Sequence, residues 1–257
     1  MINILRHPLL NIVIPMAGHG SRFTNAGYRD PKPLIPVFGK PMIELVIDNL
    51  KPSCKHRFIF ICQAEHLHLY PLRNLLETKA PECKIIEVSK VTEGAACTVL
   101  LAKEYINNAD QLMIANCDQY IDIDINRYLN SMTPDKDGLI MTMKESSNKW
   151  SYIELSPLKK ITRVLEKEVV SDEATVGIYN YQHGADFVQA AESMILKNLR
   201  VNNEFYVAPA YNEMIAVGKE IVFFNIGTLG NGMHGLGTPQ DLENFLTLGP
   251  KKIQQVR

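Results

Sequence analysis

A short stretch near the start of the chain holds the residues best suited to phosphate chemistry. Residues 18–22 read Gly-His-Gly-Ser-Arg, and Lys32 follows ten positions after the arginine. The turn comes directly after the apolar residues 11–17, which predict a short buried strand because apolar residues run on without alternation. Glycines allow backbone amides to approach an anion closely, and the two cations add positive charge. The arrangement suits a triphosphate.

Two common phosphate-binding motifs do not fit this stretch. Phe23 stands where the dinucleotide fingerprint needs a third glycine. A P-loop is excluded as well, because no Gly-Lys-Ser/Thr closes the turn.

Composition favours an ordinary globular protein. The chain has 257 residues, 46% hydrophobic and 21% charged, with a net charge of −1. This balance gives no reason to expect nucleic acid or an anionic membrane as a partner. Phosphate affinity must therefore come from local clusters of charge.

The sequence also predicts a cytoplasmic protein. No apolar stretch is long enough to span a bilayer, and residues 1–10 lack the features of a secretory signal. The five cysteines are scattered, odd in number and without a Cys-x-x-Cys pair, which is typical of reduced thiols.

Strands and helices are predicted to alternate through the first half of the chain. This pattern favours an α/β fold with a parallel sheet and right-handed crossovers. The second half differs, because two short strands at 152–155 and 161–165 predict a hairpin, and 175–181 is expected to return to the main sheet. The predicted strands are 11–17, 57–62, 84–88, 111–116, 138–143, 152–155, 161–165, 175–181 and 220–225; the predicted helices are 41–50, 65–78, 98–107, 125–129, 184–199, 208–217 and one starting at 238.

Asp118 follows the fourth predicted strand by two residues. Open parallel sheets bind ligands beyond the carboxyl ends of their strands, so this carboxylate is expected near the glycine turn. Oxygen ligands and retained waters suit Mg²⁺, and Asp118 is the candidate metal ligand. Asp122 and Asp124 form an Asp-x-Asp nearby, but we interpret them as the N-terminal acids of the helix at 125–129.

The opening of the chain resembles the sugar-phosphate nucleotidylyltransferases, the NTP-transferase family, and in particular its small members from capsule and surface-polysaccharide pathways. The resemblance is carried by residues 15–23 (PMAGHGSRF) and 31–43 (PKPLIPVFGKPMI). It implies a Rossmann-like, mixed and mostly parallel sheet flanked by helices, the nucleotide-diphospho-sugar transferase or GT-A-like fold. It further implies one nucleotidyltransferase domain over 1–257, with a nucleotide-binding half at about 10–135 and an acceptor-binding half at about 136–235.

The resemblance assigns roles to particular residues. Arg22 would contact the leaving pyrophosphate, and Lys32 would neutralise charge in the transition state. Asp118 would hold Mg²⁺ as the retained Asp of the family's Gly-Asp-Asn or Gly-Asp motif, with Asn116 and Cys117 as departures around it. The residues implied in nucleotide binding are Ala17, Gly18, His19, Gly20, Ser21, Glu93, Gly94 and Ala95; those implied in acceptor binding are Glu166, Lys167, Gly177 and Glu204.

The chain departs from the family pattern at several of these positions. Glu93 precedes Gly94 where the family usually has Gln, so the base is left open, and tight packing is an equal explanation for Gly94. Glu168 replaces the proline of the family's Glu-Lys-Pro motif, and an exposed charge run is the plain alternative for that segment. Gly235 stands where the family has a second metal-binding Asp; either Asp118 suffices together with phosphates and waters, or a residue such as Glu204 substitutes.

The implied reaction joins an NTP and a sugar 1-phosphate, or a similar phosphomonoester, with release of pyrophosphate. Three alternatives stay open: a cytidylyltransferase for a non-sugar acceptor such as phosphocholine, a GT-A glycosyltransferase using Asp122-x-Asp124, and a nucleotide sensor without turnover. The expected partners are an NTP and a small phosphorylated acceptor, and assembly into a homo-oligomer is left open. The left-handed β-helix that some relatives append is not expected after Leu246.

Overall fold

The computed structural model of the protein describes residues 9–250. The expectation about a secretory signal therefore falls mostly on residues 1–8, outside the described part. The strands are β1 Leu10–Met16, β2 Pro36–Val37, β3 Lys40–Pro41, β4 His56–Gln63, β5 Lys84–Val88, β6 Gln111–Ala115, β7 Gln119–Ile121, β8 Gly138–Lys144, β9 Ser151–Leu155, β10 Ile161–Glu166, β11 Glu173–Tyr181, β12 Ile221–Leu229 and β13 Gly232–Gly235. The helices are α1 Ser21–Asn25, α2 Met42–Leu50, α3 Ala64–Leu69, α4 Leu72–Lys79, α5 Ala95–Leu100, α6 Lys103–Ile106, α7 Ile125–Leu129, α8 Gly184–Leu196, α9 Ala210–Ala216 and α10 Pro239–Thr247, with a 3₁₀ turn at Lys32–Leu34.

One mixed sheet runs through both predicted halves. Its strand order is β5-β4-β1-β6-β11-β8-β12-β13-β7, and β9 and β10 form a hairpin beside β11. The first four strands are parallel, whereas β11 lies antiparallel to both β6 and β8. The predicted α/β fold class, with a mixed and mostly parallel sheet between helices, is confirmed. The returning strand and the hairpin are also found where the sequence predicts them.

Apolar side chains bury both faces of the sheet. One core contains α2 and α4 residues such as Val46 and Leu76, and the other contains α5 and α8 residues such as Val99 and Phe187. A third, smaller core joins Phe23 to the residues around β7 and α10. Because helices cover both faces, ligands can reach the sheet only at its edges, chiefly at the carboxyl ends of the parallel strands.

Proline and polar caps set several helix boundaries. The helix predicted over 65–78 is two helices, since Pro71 interrupts it and α4 begins at Leu72. Asp124 caps α7 by accepting a hydrogen bond from the amide of Asn126, as the sequence predicts. Thr238 caps α10 in the same way, through the amide of Asp241.

Two short strands beside Asp118 are not predicted from the sequence. They are β7 and β13, which pair antiparallel so that Gly235 lies opposite Gln119. Strands of three or four residues carry too little periodicity to be predicted. They bring Asp118 and Gly235, the two positions at which the resemblance implies metal ligands, to one edge of the sheet.

Candidate active site

The glycine turn lies at the carboxyl end of β1, as predicted. The side-chain amide of Gln63 donates a hydrogen bond of 2.5 Å to the carbonyl of Ala17 and so fixes the start of the turn. Gly20 has a φ of 63°, and a Cβ added there would lie 3.2 Å from Cβ of Lys32. This close approach is why the sequence needs glycine at position 20.

Lys32 and Asp118 form an ion pair at the end of the sheet. The Lys32 Nζ atom lies 2.9 Å from Oδ2 of Asp118, and each side chain is 23% exposed. Burial lowers the pKa of Lys32, but the charge and the hydrogen bond of Asp118, together with nearby Cys117, outweigh it and hold that pKa above its usual value. Residues 86 positions apart in the sequence thus place a fixed cation beside a carboxylate at one point.

A cavity of about 250 Å³ opens beside this ion pair. Among the predicted nucleotide-binding residues, Ala17, Gly18, Gly94 and Ala95 line it. Lys32 lines it as well. The full set of lining residues is Pro15, Met16, Ala17, Gly18, Lys32, Pro33, Val91, Thr92, Gly94, Ala95, Thr98, Asn116, Cys117 and Glu204.

Other residues of the turn lie at the surface next to the cavity. His19, Ser21 and Arg22 are exposed and do not line it. The positive charge of Arg22 nevertheless lowers the pKa of Lys32, which puts the two cations within electrostatic range. Two cations therefore lie close together at this end of the sheet, with Asp118 paired to Lys32 and Glu204 also lining the cavity.

The loop that carries Gly94 is packed tightly against a distant segment. Gly94 has a φ of 127°, and a Cβ there would lie 2.5 Å from both N and O of Phe205. The amide of Phe205 donates to the carbonyl of Glu93, and the amide of Ala96 donates to the carbonyl of Phe205. Gly94 therefore lines the cavity and also allows close backbone packing, and its role in nucleotide binding stays a prediction.

The side chain of Glu93 points away from the cavity lining. Its Oε2 lies 2.5 Å from Nη2 of Arg200, and the side chain is 65% exposed. The guanidinium of Arg200 also lies 4.2 Å from the ring centroid of Phe205. Glu93 therefore joins the loop that carries Gly94 to residues 200–205. The contact with the base that the resemblance implies for Glu93 would have to be made by its backbone.

The predicted acceptor residues gather next to the cavity. Lys167 donates a hydrogen bond of 3.0 Å to the hydroxyl of Tyr206, and Glu166 accepts one from Ser151. Burial raises the pKa of Glu166, and the negative charge of Glu204 raises it further. Glu204 thus lines the cavity and also lies within electrostatic range of Glu166.

Gly177 occupies a bulge of β11 beside the site. The register between β11 and β8 shifts between Thr175 and Tyr179, and Gly177 has a φ of 78°. A Cβ at Gly177 would lie 2.1 Å from Nδ2 of Asn116 and 2.9 Å from Oε1 of Gln119. Only glycine fits there, and the two amide side chains fill the space beside it.

The residues fit a magnesium ion that arrives with a nucleotide. Among residues 9–250, no group of three or more acidic, histidine or cysteine side chains could hold a metal by itself. Asp118 supplies one carboxylate, and Mg²⁺ commonly takes one or two carboxylates together with phosphate oxygens and waters. The space beside Gly235 is bordered by Asp241, whose carboxylate lies 3.7 Å from the position of an added Cβ. Asp241 accepts a hydrogen bond from Thr238.

Several residues of this site carry no signal in the sequence. Gln63, Thr92, Asn116, Gln119 and Arg200 are polar residues without a recognisable motif. Position alone could have drawn attention to Asn116, because it is the last residue of the fourth predicted strand. The other four reach the site only through tertiary contacts.

No helix within residues 9–250 is both long enough and apolar enough to cross a bilayer.

Comparison with known proteins places this site in a family. The family model described as nucleotidyl transferase matches residues 12–209. The bifunctional protein GlmU of Methanococcus maripaludis is 25% identical over 217 residues, which cover 82% of this chain and 48% of GlmU. The chain thus spans about half the length of the curated relatives it matches.

Solved structures agree with the fold. The nucleoside-diphosphate-sugar pyrophosphorylase of Vibrio cholerae RC9 superposes with a TM-score of 0.75 at 25% identity, covering 92% of this chain and 99% of the other. The inositol-1-phosphate CTP transferase of T. maritima superposes with a TM-score of 0.73 at 14% identity, covering 97% of each chain. The family model spans the glycine turn, Lys32, Asp118 and the acceptor residues, and the chain belongs to the nucleotidyl transferase family.

Proposed function

We propose that this protein transfers a nucleotidyl group from an NTP to a sugar 1-phosphate or a similar phosphomonoester. A phosphate oxygen of the acceptor attacks the α-phosphorus, the bond from that phosphorus to the bridging oxygen breaks, and pyrophosphate leaves. The ion pair of Lys32 and Asp118, beside a cavity formed by the glycine turn, is the observation that carries the proposal. Surface-polysaccharide synthesis in the cytoplasm is the setting that the resemblance suggests.

The main task of the protein is to bring two polyanions together. Positioning and charge neutralisation dominate such reactions, and acid–base catalysis contributes little. Lys32 would stabilise the charge on the transferring phosphoryl group, and Arg22 would stabilise the departing pyrophosphate. Lys167 would bind the acceptor phosphate.

Backbone and side chains on the two sides of the cavity would hold the nucleotide. Gly18 and Gly20, with His19 and Ser21, would surround the phosphates. Gly94 and Ala95 have no side chain beyond Cβ, so a flat base could lie against their backbone. Glu166, Gly177 and Glu204 would form the acceptor side.

Asp118 would hold Mg²⁺ together with phosphate oxygens. When bound, the ion supplies Lewis-acid polarisation and a template for the phosphates. The carboxylate is already held in place by Lys32, so a metal–nucleotide complex would meet a preformed ligand. Glu204 remains a candidate for a second carboxylate because it lines the cavity that Lys32 also lines.

Pyrophosphate release tests this proposal directly. Purified full-length protein with Mg²⁺ is assayed with CTP, UTP, GTP, dTTP and ATP, each crossed with sugar 1-phosphates, inositol 1-phosphate and phosphocholine. We expect one pair to release pyrophosphate and to form a nucleotide-linked product. Sugar transfer from a nucleotide sugar without pyrophosphate would instead indicate a glycosyltransferase. NTP binding without any release would indicate a sensor.

A further inference from the structure

The backbone of Lys167, the predicted phosphate ligand on the acceptor side, has an unusual conformation. Its φ of 59° lies in the left-handed region, which a lysine rarely adopts. The amide of Lys167 donates a hydrogen bond of 3.0 Å to the carbonyl of Trp150, just before β9. Backbone conformations of this kind persist only where the surrounding structure holds them, and they cluster at ligand sites. The contact with Trp150 therefore fixes the point from which the lysine side chain extends.

Tyr206 holds the other end of this side chain. The Nζ atom of Lys167 donates a hydrogen bond of 3.0 Å to the hydroxyl of Tyr206 and lies 5.1 Å from the centroid of its ring. A cation within about 6 Å of an aromatic ring is attracted to its face. The hydrogen bond to Tyr206 is the main cause that holds the pKa of Lys167 above its usual value, and the charges of Glu166 and Glu204 add to it. The side chain is therefore a cation with a fixed head group.

Tyr206 is itself held by the segment that borders the nucleotide cavity. Two backbone hydrogen bonds join the buried Phe205 to the loop that carries Gly94. Glu204, on the other side of Phe205, lines the cavity. Tyr206 is only partly buried and Lys167 is exposed, so a ligand can reach the ammonium group from solvent.

We infer that Tyr206 is a positioning residue, which holds the ammonium group of Lys167 in place for the phosphate of the acceptor. The inference rests on the proposed function, in which Lys167 binds that phosphate, and adds a residue to it. A lysine side chain is long and flexible, so ordering it when a ligand binds costs entropy. Because Tyr206 already orders Lys167 in the free protein, acceptor binding carries less of this cost. An ammonium group has three N–H donors, and two stay available for phosphate oxygens while one is bonded to Tyr206.

Tyr206→Phe separates this role from a structural one. The variant keeps the ring beside the ammonium group and removes only the hydroxyl that accepts its hydrogen bond. Because the contact lies near the surface, the melting temperature should stay within about 2 °C of the wild type. A weaker acceptor at unchanged stability is what positioning predicts, whereas a contact that only joins two loops predicts no effect on the acceptor.

The experiment uses the active NTP–acceptor pair found by pyrophosphate release. For Tyr206→Phe we expect the KM for the acceptor to rise about 3-fold to 10-fold, with kcat and the KM for the NTP within about 2-fold of the wild type. Tyr206→Leu, which also removes the ring, should raise the acceptor KM about 10-fold to 30-fold.

A double-mutant cycle with Lys167→Ala shows whether Tyr206 acts through the lysine. Lys167→Ala should raise the acceptor KM about 10-fold to 100-fold, because a charged hydrogen bond to the phosphate is lost. Adding Tyr206→Phe to Lys167→Ala should have no further effect, since no ammonium group is left to position. Two independent contributions would instead multiply.

Tyr128→Phe is the matched control. The hydroxyl of Tyr128 also donates one hydrogen bond, of 2.9 Å to the carbonyl of Leu139, but it is buried in the core that contains α2 and α4. This variant should lower the melting temperature and leave the acceptor KM unchanged.

Three results would overturn the inference and leave the transferase function standing. One is an acceptor KM that is the same in Tyr206→Phe as in the wild type, and another is an acceptor KM that Lys167→Ala does not change. The third is an effect of Tyr206→Phe that is equally large with and without Lys167. A matrix without any pyrophosphate release would overturn the proposed function, and this inference with it.

Discussion

At the scale of single residues, the ion pair of Lys32 and Asp118 is the feature on which the proposed chemistry depends. The pair lies 2.9 Å apart at the end of the sheet, next to the glycine turn. A lysine fixed in this way needs little reorganisation when charge develops on a phosphate, and such preorganised groups contribute most to catalysis of this kind.

Lys32→Ala is therefore expected to lower kcat by about 100-fold or more, the usual cost of losing one preorganised donor. Steady-state pyrophosphate release measures the effect. Lys103→Ala is the control, because Lys103 also pairs with a carboxylate, that of Glu192, but on the open surface. A Lys32→Ala enzyme that keeps kcat within 3-fold of the wild type would rule out the assigned role.

Glu93 gives a second prediction at this scale. Its carboxylate binds Arg200 and does not line the cavity, so a direct side-chain contact with the base is not expected. For Glu93→Gln we predict a KM for the NTP within 3-fold of the wild type, and an unchanged preference among the five NTPs. A switch of base preference in this variant would restore the base contact that the resemblance implies.

At the scale of elements, the junction between the loop at 92–95 and the segment at 202–206 holds the two sides of the cavity together. Two backbone hydrogen bonds join these segments, one from Phe205 to Glu93 and one from Ala96 to Phe205, and at Gly94 there is no room for a side chain. The loop therefore cannot shift without moving Glu204 and Tyr206.

Gly94→Ala should disturb this junction. The variant combines an unfavourable φ with contacts of 2.5 Å to Phe205, and we expect a loss of about 3 kcal/mol in unfolding free energy. Urea unfolding measures the loss. Gly218→Ala is the matched control, since Gly218 has a φ of 84° with open space around it, and its loss should be about 1 kcal/mol. Equal losses in the two variants would show that packing against Phe205 is unimportant.

Helices α2 and α4 are joined by a partly buried ion pair. Glu44 Oε1 lies 2.7 Å from Nζ of Lys79. Burial would raise the pKa of Glu44, but the positive charges of Lys79 and Lys40 hold it below its usual value of 4.5. A carboxyl group whose pKa is lowered by folding stabilises the folded state at pH values above its usual pKa. This stabilisation is lost as the pH falls through the lowered pKa.

Glu44→Gln should accordingly lower the unfolding free energy by about 1 kcal/mol at pH 7. The difference from the wild type should shrink below about pH 4.5 and vanish at lower pH. Urea unfolding across this range measures it. A difference that stays constant with pH would mean that the charge of Glu44 contributes nothing.

At the scale of the whole molecule, the ligand site draws on distant parts of the chain. The glycine turn, Lys32, the loop at 92–95, Asn116 and Glu204 all border one cavity. A ligand bound there ties together strands and loops that are otherwise connected only through the sheet.

Binding of the correct NTP with Mg²⁺ should therefore stabilise the entire fold. At 100 times the dissociation constant the gain is about 2.7 kcal/mol, which corresponds to a rise in melting temperature of about 5–10 °C for a chain of this size. Differential scanning fluorimetry measures the shift. The corresponding nucleoside without phosphates should give a much smaller shift, and equal shifts would argue against recognition of the phosphates by the glycine turn.

The order of the longer strands and helices can be predicted from the sequence because each shows a recognisable pattern in its own residues. The buried strands β1, β4 and β6 contain continuous apolar runs, and α2 shows helical spacing. The short strands β7 and β13 do not, and they become strands only because they pair with each other and with β12. Local propensity cannot reveal pairing between segments more than 100 residues apart.

The sequence by itself determined the family, the fold class and a list of residues with suitable chemistry. Glycines at fixed spacing, an Arg and a Lys were enough, because their types already limit what they can bind. Only the tertiary structure decided which of them meet: Lys32 with Asp118, Glu93 with Arg200 instead of the cavity, and Gln119 beside Gly177. Contacts of this kind depend on the order of the strands in the sheet and on how closely two backbone segments pack. No local sequence pattern specifies either of these.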